Sequence, residues 1–383
     1  MKIFVVTGDK LNTGGGGITH LIETFEAIAA TGNEVLLFTP QINFSTSLPV
    51  QPVFSPGTGV LGALCHNLFL LLVLCRHLIA NRPDCIYTRQ LSYSFVPPLL
   101  ARLFRVKHCL EVNGVLFDEL QLVKASPFKL ALNKAISRIN CALTDRISVT
   151  VPETRQRLID LYRTREKKIE IIPCAAANHH SFQPGDRRKA RQELGLAEDE
   201  FIVGFVGTLY AWHGMDLFLA AVPSLAAAIP RFRLVVVGDG IEKERLAAQA
   251  QALGVAPAVT FTGLIPYRHI PTYIQAFDAG ISFFKAVRPI PGIPMKMYEY
   301  MACGVPVIAS DIPGYGPVVA GVNAGLSVNS TEPAEIVAAV STLAKDSYRR
   351  ETMGRQGRQA VEDRFNWQRV SIMVEDFIKR TIC

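Results

Sequence analysis

Lys2-Ile3-Phe4-Val5-Val6-Thr7 opens the chain, and a run of four glycines, Gly14-Gly15-Gly16-Gly17, follows it. A near-continuous apolar run closed by a glycine loop reads as a strand buried on both faces. Beyond the glycines, Ile18, Leu21, Ile22, Phe25, Ile28 and Ala29 recur at the spacing of one helix face. Gly32 stops that helix, and Glu34 to Phe38 forms the next strand. Strand, loop, helix, strand is the opening of a parallel sheet, because parallel neighbours need a crossover connection.

The same opening occurs twice. Phe201-Ile202-Val203-Gly204-Phe205-Val206-Gly207 is a second strand running into a loop, Thr208 to Gly214, and then a helix through Ala228. Leu234 to Val237 is a strand ending in Gly238-Asp239-Gly240. After it the pattern predicts helix 241–253, strand 258–261, helix 269–277, strand 279–283, helix 294–303 and strand Val305 to Ser310. The first half continues with strand Asp84 to Tyr87, a helix near Pro97 to Phe104, strand His108 to Val112, a long basic helical region and strand Ile147 to Val151. The fold class is therefore α/β, with two Rossmann-like doubly wound parallel sheets. The expected domains are 1–180 and 181–365, joined near the loop Pro173 to Asp186, with a C-terminal helix in 366–383. Ligands of such sheets bind beyond the carboxyl ends of the strands, so two facing halves predict a cleft.

Composition narrows the class. The 383 residues suffice for two cores, and 49% hydrophobic with 19% charged residues excludes a disordered chain. The net charge is +7, and between Arg102 and Arg191 there are 18 basic against 9 acidic residues. Such a surface suits phosphates or an anionic membrane; without interleaved basic and aromatic residues, a nucleic-acid partner is not expected. The eight cysteines are scattered, with no CxxC pair, which predicts neither a zinc site nor a disulfide framework. Met1 leads directly into a strand with no signal-peptide pattern, so the expected location is cytoplasmic. In Leu61 to Ala80 the unbroken apolar run, Leu68 to Cys75, falls short of the ~20 residues of a spanning helix. A buried or interfacial helix is expected there, in contact with the cytoplasmic membrane face.

The chemistry is concentrated in Pro289-Ile290-Pro291-Gly292-Ile293-Pro294-Met295-Lys296-Met297-Tyr298-Glu299-Tyr300. Pro294 suits the first helical turn. The amide groups after it, from Met295 on, are expected to be free to bind an anion. Lys296 and Glu299, three apart, share one helix face. A cation beside phosphates and a carboxylate accepting from ribose hydroxyls would hold a nucleotide diphosphate. An ordinary helix with a surface salt bridge is the plain alternative.

Lys296-x-x-Glu299-Tyr300-Met301-Ala302-x-Gly304-x-Pro306-Val307-Ile308-Ala309 resembles the donor-site signature of glycosyltransferase family 4, retaining enzymes of the GT-B fold. Through nearly the whole chain the resemblance holds. Gly15, Gly16 and Gly17, with His20, resemble the family's N-terminal glycine loop. Gly207, Thr208 and His213 resemble its first C-domain loop, Gly238 its second strand end, and Gly263 and Leu264 the segment cradling the base. Pro294, Met295, Lys296, Tyr298 and Glu299 complete the implied nucleotide-sugar site, with Lys296, Glu299 and Asn113 as the implied catalytic residues. The last helix is expected to cross back onto the N-terminal domain.

Pro291 stands where the family has a first glutamate, and Thr208 and His213 replace its arginine and lysine; His213 remains able to donate to a phosphate. The resemblance implies transfer with retention from a nucleotide-sugar donor to a glycan or lipid-linked acceptor, in polysaccharide or glycoconjugate synthesis. No cofactor and no metal are expected, since no two aspartates stand two apart. Rival readings are a GT-B-type nucleotide-sugar epimerase, a degenerate nucleotide-sugar-binding partner protein and a nicotinamide dehydrogenase. The last fits least, because the glycine run lacks G-x-G-x-x-G phasing.

Overall fold

The computed structural model describes residues 1–8, 16–40, 46–56, 60–89, 91, 93–285 and 290–383. The chain divides into two compact units, Met1–Cys174 with Trp367–Cys383, and Ala175–Asn366. In the first unit the strands are β1 (Lys2–Val6), β2 (Glu34–Thr39), β3 (Val50–Pro52), β4 (Cys85–Arg89), β5 (Lys107–Val112), β6 (Arg146–Val149) and β7 (Ile169–Ile171). All pair in parallel, in the order β3-β2-β1-β4-β5-β6-β7. The second unit has β8 (Phe201–Val206), β9 (Phe232–Val237), β10 (Val259–Gly263), β11 (Ala279–Ser282), β12 (Val307–Ser310) and β13 (Gly325–Val328). These too are parallel, in the order β10-β9-β8-β11-β12-β13.

The alternation of β8 shows how the second sheet is covered on both faces. Val203 and Phe205 enter one apolar layer with Phe218 and Ile281, while Ile202 and Val206 enter the other with Phe277 and Tyr300. Side chains of period two must part in this way, and only helices on both sides keep each set dry. In the first unit Phe4, Val6 and Phe38 pack under Leu70, Leu74 and Leu78 of the helix Val60–Ala80.

Three edge strands, β3, β7 and β13, and the helices Pro333–Lys345 and Ser347–Asp363 extend the sequence reading. Strands of three or four residues carry too few positions for a period-two signal. The division falls after Cys174 rather than at 180/181. Ala177 N donates to Phe365 O at 2.9 Å, and Phe182 is buried among Ile270 and Ile274, so this stretch belongs to the second unit. The final helix, Trp367–Ile382, groups with the first unit. Trp367 lies 5.4 Å from His20, and Asn33 donates to Glu375 at 3.2 Å.

Helix Val60–Ala80 lies on the surface of this unit, one face packed and one face open. The stripe Leu70, Leu74, Leu78 is committed to the core, and the stripe Leu64, Leu68, Leu72 is exposed. Gly62–Ala80 is long and apolar enough to cross a membrane by length and composition alone. The committed inner stripe is what makes it a surface helix of this unit.

Candidate functional site

At the carboxyl edge of the second sheet three strand ends are stitched together. Gly207 N donates to Val237 O at 2.9 Å and Gly238 N to Gly263 O at 3.0 Å. Gly207 and Gly238 have φ of 138° and 136°, and a Cβ on Gly238 would lie 2.1 Å from the Gly207 carbonyl oxygen. Only glycine satisfies both the torsion and the approach. Leu264 follows, with 79% of its surface exposed, and the Thr208 side chain is exposed as well.

Lys296 reaches this edge from the first turn of the helix Met295–Ala302. Its Nζ lies 3.0 Å from where a Cβ on Gly207 would be and 4.0 Å from the centre of the Phe205 ring. The side chain forms no ion pair among the described residues. Burial lowers its pKa to about 7, against the attraction of Glu299. Glu299 is itself buried and accepts from Tyr267 Oη at 2.9 Å. Burial pushes its carboxyl up to about 7, with the Tyr267 bond and Lys296 pulling the other way. The site thus carries a cation and a carboxylate whose charges its own desolvation resists.

His213 closes the loop after β8. Its Nδ1 lies 2.6 Å from Thr208 O, and a carbonyl only accepts, so that nitrogen carries the proton. Nε2 therefore donates to an anion only when the ring is protonated. The structure changes two further expectations. Pro294 caps the helix rather than beginning it, and Met295 N and Met297 N donate to Ile293 O and Pro294 O. Two of the amides expected to be free are therefore engaged within the turn itself. Tyr298, named with the site in the sequence, is buried against the core. It is 2% exposed and packs 5.1 Å from Phe365, because it lies on the helix face turned to the core.

The first unit carries a second polar cluster. Gly15 lies outside the described residues; Gly16 and Gly17 begin the helix Gly16–Ala30, and Arg89 donates to Gly17 O. Glu111, buried in β5, accepts from Tyr87 Oη at 2.6 Å and pairs with His20 Nε2 at 3.1 Å and Arg89 Nε at 3.8 Å. Burial opposes its charge, but His20, Arg89 and Tyr87 together hold the carboxyl well below the usual range. Asn113 Nδ2 donates to Glu111, which leaves the buried Asn113 Oδ1 and His20 Nδ1 as polar atoms without a partner. The sequence singled out Asn113 and passed over Glu111. Its signal was available: a carboxylate inside an apolar strand must find partners.

Among solved structures, sucrose-phosphate synthase from Thermosynechococcus elongatus superposes with a TM-score of 0.78 at 22% identity, over 99% of this chain and 98% of that one. HepE of Anabaena, solved with UDP, gives 0.76 at 20% identity, over 99% and 100%. The fold is GT-B, the glycosyltransferase class of two parallel α/β units. Residues 14–176 match the profile described as Glycosyltransferase Family 4, and 186–360 that of Glycosyl transferases group 1. The chain belongs to glycosyltransferase family 4. A D-inositol 3-phosphate glycosyltransferase of Segniliparus rotundus is 32% identical over 231 residues, 59% of this chain and 50% of that protein. The chain thus spans about half the length of the curated relatives at this level of identity.

Proposed function

We propose that this chain is a retaining glycosyltransferase that moves a sugar from a nucleotide-diphosphate sugar to a glycan or lipid-linked acceptor, without a metal ion. The observation that carries this reading is the half-buried Lys296 ammonium at the ends of β8 and β9, with no carboxylate in ion-pairing contact among the described residues. Such a charge is costly until an anion arrives. A diphosphate at Lys296, with the His213 ring as a second donor, places the ribose hydroxyls toward Glu299. HepE was solved with UDP, which supports a nucleotide of that kind.

Chemically, the protein stabilises the charge that develops on the leaving diphosphate. The leaving phosphate oxygen takes the acceptor's proton on the same face of the sugar, so no enzyme nucleophile is needed. On this reading the unpartnered Asn113 Oδ1 and His20 Nδ1 take a sugar hydroxyl in the first unit. Thermal midpoints measured with UDP-, GDP- and ADP-sugars test the reading. One nucleotide class is expected to raise the midpoint, and Glu299→Ala to weaken that donor about 10- to 100-fold, the worth of a hydrogen bond to a charged group. No rise with any donor overturns the assignment. Transfer is expected to survive a chelator and to yield a product of the donor's anomeric configuration by NMR.

The acceptor is proposed to be presented at an anionic membrane on the cytoplasmic face, during polysaccharide synthesis. Leu64, Leu68 and Leu72 form an exposed apolar stripe on a helix already docked by its other face, next to the exposed Phe54. Basic residues 102–191 supply the electrostatic attraction. The double variant Leu68→Glu, Leu72→Glu is expected to bind vesicles containing phosphatidylglycerol at least ~10-fold more weakly, from lost apolar burial. Equal binding of the two proteins in a sedimentation assay removes this part of the proposal.

A further inference from the structure

A cavity of about 410 Å³ opens in the second unit at the amino ends of β11 and β12, the sheet edge away from Lys296. Helix Ser347–Asp363 forms its other wall. Four arginines line it, Arg187, Arg350, Arg355 and Arg358, against two acids, Asp278 and Glu351. Asp278 is fully engaged: it accepts from Arg187 at 2.8 Å, from Arg191 at 2.6 Å and from Ile202 N at 2.8 Å. Arg350 Nε lies 3.6 Å from the same carboxylate, too far to hydrogen-bond, and is buried with no hydrogen-bond partner. Burial depresses the Arg350 guanidinium below its ordinary value even with Asp278 nearby. One buried carboxylate is thus shared among three guanidiniums, and positive charge is left over beside open volume.

We propose that this cavity binds a phosphate dianion, carried free or as a small phosphomonoester. Guanidinium forks match phosphate oxygens in pairs, and positive charge in excess of its carboxylates beside open volume gains most from such a ligand. The volume lies within the range of small-molecule sites. This anion is distinct from a donor diphosphate. The helix Met295–Ala302 spans ~12 Å between Lys296 and the cavity floor at Gly304.

The full chain is heated in orthophosphate, in glycerol 3-phosphate and in sodium chloride of matched ionic strength. Three proteins are compared: wild type, Lys296→Met and Arg355→Glu. Arg355 is the most exposed of the four, with a side chain 64% open, so its reversal leaves the core intact. At about 100 times Kd, phosphate is expected to raise the midpoint by about 5 °C in wild type and in Lys296→Met. In Arg355→Glu the rise disappears while stabilisation by the nucleotide donor remains. A tighter response to glycerol 3-phosphate identifies an ester as the ligand, and an equal one identifies orthophosphate. The site is overturned if phosphate does no more than chloride, if Arg355→Glu responds as wild type does, or if the response vanishes in Lys296→Met.

Discussion

Lys296→Met is expected to lower kcat by about 10²–10³ while making the empty protein more stable at neutral pH. The first half follows from the role of a fixed cation at the leaving diphosphate, where losing one such contact typically removes two to three decades of rate. The second follows from desolvation. The ammonium has a pKa of about 7 in the folded chain against an ordinary 10.5. Between those values the unfolded chain binds more protons than the folded one, so wild-type stability rises with pH across that window. Below about pH 7 the full cost of burying the charged form is present. Methionine fills the same space over Phe205 without that cost.

Glu299 titrates in the same range and with the opposite sign. Its raised pKa favours the folded state below 4.5, an advantage lost as pH climbs through about 7. The comparison is therefore made in a Glu299→Gln background, where Lys296 alone titrates. There Lys296→Met is expected to gain ~1–3 kcal/mol at pH 7, and the gain to fade toward pH 10. Lys296 keeps part of its surface in solvent, so the gain stays below the full value of the shift. Denaturant titrations at three pH values measure it. A variant less stable than its parent at pH 7, or with near-normal turnover, refutes the role given to this lysine.

How this site was read from sequence, and how much was missed, depends on whether its parts are local. Lys296 and Glu299 were legible because both lie on one helix, where a spacing of three fixes a shared face. The strands β1, β8 and β9 were legible as apolar runs ended by glycine, and their glycine ends marked the carboxyl edge. Tyr267 was not legible. It reaches Glu299 across 32 residues from a three-residue 3-10 helix, too short to show a period. The Glu111 cluster draws Tyr87 and Arg89 from β4 and His20 from the helix Gly16–Ala30, and only the pairing of β4 with β5 and the packing of that helix bring them to Glu111. The packing of Tyr298 was not legible for a related reason. Helical spacing says which residues share a face but not which face the sheet covers, and Phe365, far along the chain, decides that.

Asp278→Ala is expected to cost ~3–5 kcal/mol and to lower the midpoint of the second unit by roughly 10 °C, with activity per folded molecule unchanged at low temperature. Asp278 is 4% exposed, and Arg191 beside it 5% by side chain. Arg191 also donates to the carbonyls of Ala276, Glu198 and Glu200, so it is held in place when its counter-ion is removed. A guanidinium that cannot swing into water keeps its desolvation cost and loses the attraction that offset it. The pair Arg231–Asp199 has a similar separation, 2.6 Å, but side chains 56% and 63% exposed. There Asp199→Ala is expected to cost under ~0.5 kcal/mol, because water takes over each charge. Asp278→Asn keeps an acceptor for the Ile202 N–H and loses only the charge, so it is expected to fall between the two. If all three variants unfold at the same denaturant concentration, burial is not what gives this carboxylate its weight. If Asp278→Ala instead loses turnover while fully folded, the two edges of the sheet are coupled far more tightly than the separation of Lys296 from β11 and β12 implies.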